Sequence, residues 1–267
     1  MRGSLGEKVG EGAAADIHAW APGQVLKLFK AGVPERFGRH EARMTRAAFP
    51  AGAPEVIDEV IVDGRFGIVL QRLDGPTLQQ LLQTSAMTLE QAGAFLASLY
   101  VSVHKTPAAA DVPSLRRWID FASQASRDIL PQHFATGVLT LIDRLPPEDG
   151  LCHADLHPGN VIMTADGPRI IDWACALRAS GVFDIARVHV SLSELVPDGA
   201  DPERPRVINA TVQSEYARQS GLPPAALTEA MQPYLPILRA FVLLQRRRAT
   251  PAQRKLLIQR LEATLRS

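Results

Sequence analysis

From Gly75-Pro76 to the C-terminus this chain reads as helix after helix, with one interruption, Leu151–Asp172, and that interruption decides what the chain can be. It carries two short apolar strands, Val161–Met163 and Arg169–Ile171, around an Asp166-Gly167 turn. Ahead of the strands stands the polar octet His153-Ala154-Asp155-Leu156-His157-Pro158-Gly159-Asn160, and the second strand runs out into Asp172-Trp173. The helices around it carry their own signals. Thr77 can cap a helix through Leu82, and Thr88 with Gln91 forms a capping box for a helix to about His104.

The first seventy residues have a different texture, strands around one helix. Gly3–Gly10 and Ala14–Trp20 are short segments split by glycines and alanines, and Val25–Phe29 alternates after a Pro22-Gly23 turn. Pro34 opens a helical pattern to about Phe49, with Phe37, Glu41, Met44 and Ala48 on one face. Val56–Val62 and Phe66–Leu70 flank Asp63-Gly64, a strong hairpin signal. The expected architecture is α+β: a small β-rich lobe with one helix (1–70), a hinge (71–75) and a larger, mainly helical lobe (76–267).

Composition closes off other classes. The 267 residues are 46% hydrophobic and 21% charged, enough apolar mass for a real core. A formal net charge of +1 gives no electrostatic case for nucleic acid or an anionic membrane as partner. The longest apolar stretches, around Phe95–Val103 and Ile237–Leu244, are too short for a membrane span, and the N-terminus has no apolar leader. Cys152 and Cys175 match no metal spacing and read as reduced thiols, so a cytoplasmic protein is expected.

Chemistry resides in the interruption. Phosphoryl transfer to a hydroxyl needs a carboxylate facing the acceptor and hard ligands that hold Mg²⁺ against the phosphates. Asp155 and Asn160, five residues apart, share one tight loop, and Asp172 adds an oxygen ligand at the end of a strand. The octet resembles the kinase catalytic loop H-x-D-L-x-x-x-N, with Asp172 at the place of the D-F-G aspartate. His-Pro-Gly-Asn followed by Asp-Trp resembles the aminoglycoside phosphotransferase and choline kinase branch more closely than the protein kinases.

That resemblance implies a protein-kinase-like bilobal fold and transfer of the γ-phosphoryl of ATP or GTP to a small hydroxyl compound, such as an aminoglycoside or other amino-alcohol. It implies Asp155 as base and Asn160 and Asp172 as Mg²⁺ ligands. Upstream, Val9-Gly10-Glu11-Gly12-Ala13-Ala14-Ala15-Asp16-Ile17 fits a Gly-rich hairpin over the phosphates, with Ala15 replacing the third glycine. Lys27, mid-strand, is the expected phosphate lysine and Lys30 its competitor; Glu41 is the expected partner and Glu35 the competitor in the first helical turn. The Gln71 carbonyl and Leu73 amide would read the base, and Val9 and Ile17 would roof it.

Asp184 matches the family aspartate that bonds the catalytic-loop backbone, although a bare helix cap would also place an aspartate there. His153 reads as a packed histidine. His157 could touch the transferred phosphoryl or simply steady the loop. The likeness spans roughly Leu5 to Leu192. Beyond it, Glu194, Asp198, Asp201 and Glu203 could line a pocket for a cationic acceptor or form a polar loop, and Arg246–Arg248 reads as a solvated face. The alternative from another class is a nucleotide-binding pseudokinase scaffold.

Overall fold

A computed structural model describes residues 5–145, 150–196, 199, 201–245 and 249–266. The start of the Gly3–Gly10 segment, Asp198 and Arg246–Arg248 lie outside the described residues. In chain order come β1 (Lys8–Glu11), β2 (Ala15–Ala21), β3 (Gln24–Phe29), α1 (Glu35–Ala47), β4 (Val56–Val62), β5 (Arg65–Gln71), α2 (Leu78–Gln83) and α3 (Leu89–His104). Then follow α4 (Leu115–Gln124), α5 (Gln132–Asp143), β6 (Gly150–Cys152), β7 (Val161–Thr164), β8 (Gly167–Ile170) and β9 (Leu177–Ala179). The chain closes with α6 (Gly181–Glu194), α7 (Glu203–Ser220), α8 (Pro224–Met231), α9 (Tyr234–Leu244) and α10 (Pro251–Arg266). The architecture is α+β, and among the described residues no helix is long and apolar enough to cross a membrane.

Contacts divide the chain into two compact units. Asp155–Ala176 groups with residues 1–86, while residues 87–154 and 177–267 form the second unit. The lobe limits expected from the sequence differ from this division, which gives residues 76–86 and Asp155–Ala176 to the first unit.

In the first unit the sheet runs β1-β2-β3-β5-β4, all antiparallel. The two-residue period of β3 sends Leu26 and Leu28 to one face, where they are fully buried with Val69. Phe29 goes to the other face and packs with Ala15, Ala42, Phe66 and Ile68, so α1 covers that side. Asp63 and Gly64 take positive φ (50° and 72°) and turn β4 into β5 as a tight hairpin demands.

Helix α1 and its C-terminal cap bury Glu41, Met44 and Ala48 as the pattern expected, with Gly38, Ala42 and Thr45 beside them, whereas Phe37 is 53% exposed. Gly38 takes the place at the sheet that Phe37 was expected to share: a Cβ there would stand 2.2 Å from Cδ1 of Phe66 and 2.9 Å from Cε2 of Phe29. Only a bare backbone lets the helix lie down on those rings.

The second unit is a helical assembly. Helix α3 packs on α7, and α9 contacts α5, α6 and α10. The Trp118 and Phe241 rings lie 4.1 Å apart, and Phe183 meets Phe241 edge-on at 5.5 Å. Strands β6 and β9 pair antiparallel, Cys152 opposite Leu177.

Candidate active site

The hairpin β7–β8 brings the candidate metal ligands together by register. Val161 pairs with Ile170, so the residue before β7, Asn160, faces the residue after β8, and the Ile171 amide donates to the Asn160 carbonyl at 2.9 Å. Asp172 is the next residue. On the other side, Asn160 Nδ2 donates to the Asp155 carbonyl at 3.0 Å and closes the loop between them. Three residues spread over eighteen positions therefore lie at one end of one hairpin. Gly75 helps to place that hairpin: Met163 N donates to Pro76 O at 2.9 Å, and a Cβ on Gly75 (φ 151°) would sit 2.0 Å from Met163 O.

Strand β3 contributes the cation. The pleat that buries Leu26 and Leu28 puts Lys27 on the same face as Phe29, the face covered by α1. There Lys27 Nζ pairs with Glu41 Oε1 and lies 3.4 Å from Asp172 Oδ1. Glu41 is buried, Lys27 nearly so, and Asp172 keeps 40% of its side chain exposed. Burial works against the Lys27 ammonium, yet attraction to Glu41 and Asp172 outweighs it and holds the group above the usual lysine value. The competitors are occupied elsewhere: Lys30 pairs with Glu11 at 3.1 Å, and Glu35 pairs with Arg39.

Asp172 has φ 64° and ψ 58°, a left-handed conformation that costs a residue with a Cβ roughly 1–2 kcal/mol. Its neighbour Trp173 is fully buried and donates its indole N–H to Ile170 O at 2.8 Å. Asp155 is 8% exposed. The donor set of Asn160 and Asp172 suits a hard cation. Because Asn160 Nδ2 is committed to Asp155, its amide oxygen is the atom left for coordination, beside a part-exposed carboxylate.

The Gly-rich hairpin is in place as the β1–β2 turn, closed by Gly12 N donating to Ala15 O at 2.8 Å. Val9 is 45% exposed and Ile17 half-buried. Ala15, which stands where a third glycine was expected, turns its methyl into the core beside Phe29 and Ala42. At the end of β5, the Gln71 side-chain oxygen accepts from Arg169 at 3.2 Å, and Gln71 N is held by Glu55 O at 2.9 Å. The Leu73 amide has no hydrogen-bond partner among the described residues.

In the second unit Asp184 accepts from the amides of His153 (2.9 Å) and Ala154 (2.8 Å) and faces His104 Nε2 at 3.2 Å. It is not the cap of α6; that is Ser180. Ala154 has φ 61°, and the Asp184 clamp holds it there, one residue before Asp155. His153 is fully buried, and the exposed His157 uses Nδ1 to accept from Gly159 N at 3.1 Å.

Of the acids read either as a cationic-acceptor pocket or as a polar loop, the three described ones have partners within the protein. Glu194 is buried between Arg239, which bonds both its oxygens (3.1 and 2.9 Å), and Arg260 at 2.9 Å. Glu203 pairs with Arg206, and Asp201 accepts from the Glu203 amide at 2.9 Å. Glu194 and Glu203 thus neutralise guanidiniums, and Asp201 holds a backbone amide at the start of α7. Spacing alone gave no sign of it, because Arg239 and Arg260 lie 45 and more residues away.

The family model for the phosphotransferase enzyme family matches residues 17–222. The chain belongs to that family. It is an enzyme of the phosphotransferase class. Among solved structures it is similar to a thermostable mutant of aminoglycoside phosphotransferase APH(4)-Ia in complex with ADP and hygromycin B, at 15% identity and TM-score 0.62 over 99% of this chain and 94% of that one. An aminoglycoside-3'-phosphotransferase of type VIII matches at 19% identity and TM-score 0.56, over 90% and 93% of the two chains. An ethanolamine kinase from Plasmodium vivax matches at 14% and 0.59, over 98% and 81%. At such identities these likenesses establish the fold, which is protein-kinase-like. A search of curated proteins finds no match.

Proposed function

We propose that the enzyme moves the γ-phosphoryl group of ATP or GTP to a hydroxyl of a small molecule, with Asp155 as base, Asn160 and Asp172 as Mg²⁺ ligands and Lys27 on the phosphates. The observation that carries this reading is the joint placement of Asp155, Asn160 and Asp172 at one hairpin end, with the Lys27–Glu41 pair against Asp172. A scaffold without turnover has no use for all five groups. The APH(4)-Ia complex holds ADP with hygromycin B, so an amino-sugar is the first acceptor to test here.

In this reading Glu41 orients Lys27, which binds α- and β-phosphate oxygens. Asn160 and Asp172 would hold Mg²⁺, which would supply positive charge beside the phosphates. Asp155 orients the acceptor hydroxyl. As its oxygen bonds to the γ-phosphorus, the bond from that phosphorus to the β–γ bridging oxygen breaks, ADP or GDP leaves, and the hydroxyl proton passes to the Asp155 carboxylate. The turn over β1–β2, with Val9, Gly10, Gly12 and Ile17, would cover the nucleotide, and Gln71 with Leu73 would read the base through the backbone. The Leu73 amide, without a partner of its own, supports that part. Residues 1–70, 71–75 and 76–267 would then act as nucleotide lobe, hinge and acceptor lobe. A monomeric working unit is not required by any of these roles. A cytoplasmic setting, where nucleoside triphosphate is supplied, agrees with two cysteines that remain thiols.

The decisive experiment is a nucleoside triphosphate turnover screen against a library of hydroxyl compounds, with Asp155→Asn as background. Acceptor-dependent turnover present in the wild type and absent in the variant is the expected result. No turnover above the variant with any acceptor would overturn the reading.

A further inference from the structure

Helix α1 reaches toward Asp172 at a second point. His40, the residue before Glu41, has Nε2 3.1 Å from the carbonyl oxygen of Ala174. Its other ring nitrogen, Nδ1, lies 3.2 Å from Nη2 of Arg43, almost one turn along the same helix. A guanidinium can only donate, so Nδ1 accepts, and the proton of the neutral ring sits on Nε2, where it donates to Ala174. Burial, the largest influence, holds His40 below the ordinary histidine value, in keeping with a neutral ring.

The bond joins two parts that the chemistry needs in register. One is α1, which carries Glu41. The other is the short turn Trp173–Cys175, which begins at Asp172 and packs on α1. That turn starts from a left-handed aspartate, a conformation that persists only where the surroundings determine it. Trp173 anchors the turn to β8 through Ile170, and the Ala174 carbonyl ties it to the helix.

We propose that His40 is a positioning residue: its Nε2–H donates to Ala174 O and so fixes the distance between the Glu41 helix and the Asp172 carboxylate. His40 touches no substrate and acts through Asp172. The inference rests on the phosphotransfer reading above. A histidine that merely packs would lower stability without changing how the metal contributes to nucleotide binding.

The test measures binding of the non-hydrolysable analogue AMP-PNP by calorimetry, with and without Mg²⁺, alongside thermal unfolding. The readout is the gain in affinity that Mg²⁺ confers. In His40→Ala that gain should fall about tenfold, the effect of one lost hydrogen bond at a charged site. His40→Gln places an amide N–H near the position of Nε2 and should restore the gain to within about twofold of wild type, whereas His40→Asn, polar but too short, should not. The Gln and Asn pair decides the matter even where the Ala variant fails to fold. An undiminished gain in His40→Ala or His40→Asn, or equal losses in the Gln and Asn variants, would overturn the proposal. A wild type that shows no Mg²⁺-dependent gain would instead remove the phosphotransfer reading on which it rests.

Discussion

A lysine in the middle of an apolar strand costs several kcal/mol unless a partner awaits it, and Lys27 has two. The buried Glu41 and the part-exposed Asp172 together raise its proton affinity above the ordinary 10.5, against the opposing pull of burial. A folded value above the unfolded one means that the pair's stabilisation is complete below the unfolded value and lost only as pH climbs through the folded one. The unfolding free-energy difference between wild type and the double variant Lys27→Met/Glu41→Gln, which leaves no unpaired carboxylate under α1, should therefore stay flat from about pH 7 to about pH 10. A slope in denaturant titrations across that window would show that another group carries the pairing. Glu41→Gln leaves the ammonium buried with one carboxylate; a loss of about 3 kcal/mol is expected by the same titrations, together with a raised KM for the nucleotide. Asp155→Asn acts otherwise. It should cut kcat by at least about a hundredfold, the usual worth of a general base, and leave AMP-PNP affinity within a few-fold. Part of this was legible at the residue scale: Lys27 was read mid-strand with Glu41 as its partner, and the octet marked Asp155 and Asn160 as candidates. The ion-paired Glu194 and the Nε2 bond of His40 were not, because each depends on a partner more than forty residues away.

At the scale of elements, the site is a problem of seating. Helix α1 must lie close enough to β3 and β5 for Glu41 to meet Lys27, and Gly38 permits that approach over Phe66 and Phe29. Gly38→Ala adds a methyl within 2.2 Å of Phe66 Cδ1. The helix or the ring must shift, at about 1–3 kcal/mol, and nucleotide KM should rise as Glu41 leaves its lysine. Unfolding and steady-state kinetics on the same variant would show both effects; stability lost with KM unchanged would separate the seating of α1 from catalysis. The cap at Thr77, the capping box at Thr88, the Asp63-Gly64 hairpin and the β7–β8 hairpin were all legible, since each is local chemistry; that Gln80 completes a box at Thr77 was not read. On α1, Glu41, Met44 and Ala48 lie buried as read, and only Phe37 was misplaced. Helical spacing puts Phe37 near Glu41 and Met44, but which side turns inward is set by the rings on β3 and β5, which the helix's own residues do not reveal.

For the molecule as a whole the open question is the acceptor, and the chain between Asp172 and α6 bears on it. A protein kinase needs a segment there long enough to carry an extended peptide. Here that stretch is the turn Trp173–Cys175 and then β9, paired with β6 residue for residue, with α6 beginning at Gly181. Nothing is left over to form a platform, so labelled-phosphate assays should show transfer to small hydroxyl compounds and none to generic protein substrates. The acid at the end of α6 bears on the charge of the acceptor. Glu194 sits between two guanidiniums, so Glu194→Gln removes the anion that both Arg239 and Arg260 require. Breaking such a buried cluster from one side costs roughly 3–5 kcal/mol. Its signature should be a lowered unfolding midpoint, with the ranking of cationic, neutral and anionic acceptors unchanged in the library screen. A selective loss of cationic acceptors in the folded variant would return Glu194 to the binding site and overturn its assignment as a structural anion.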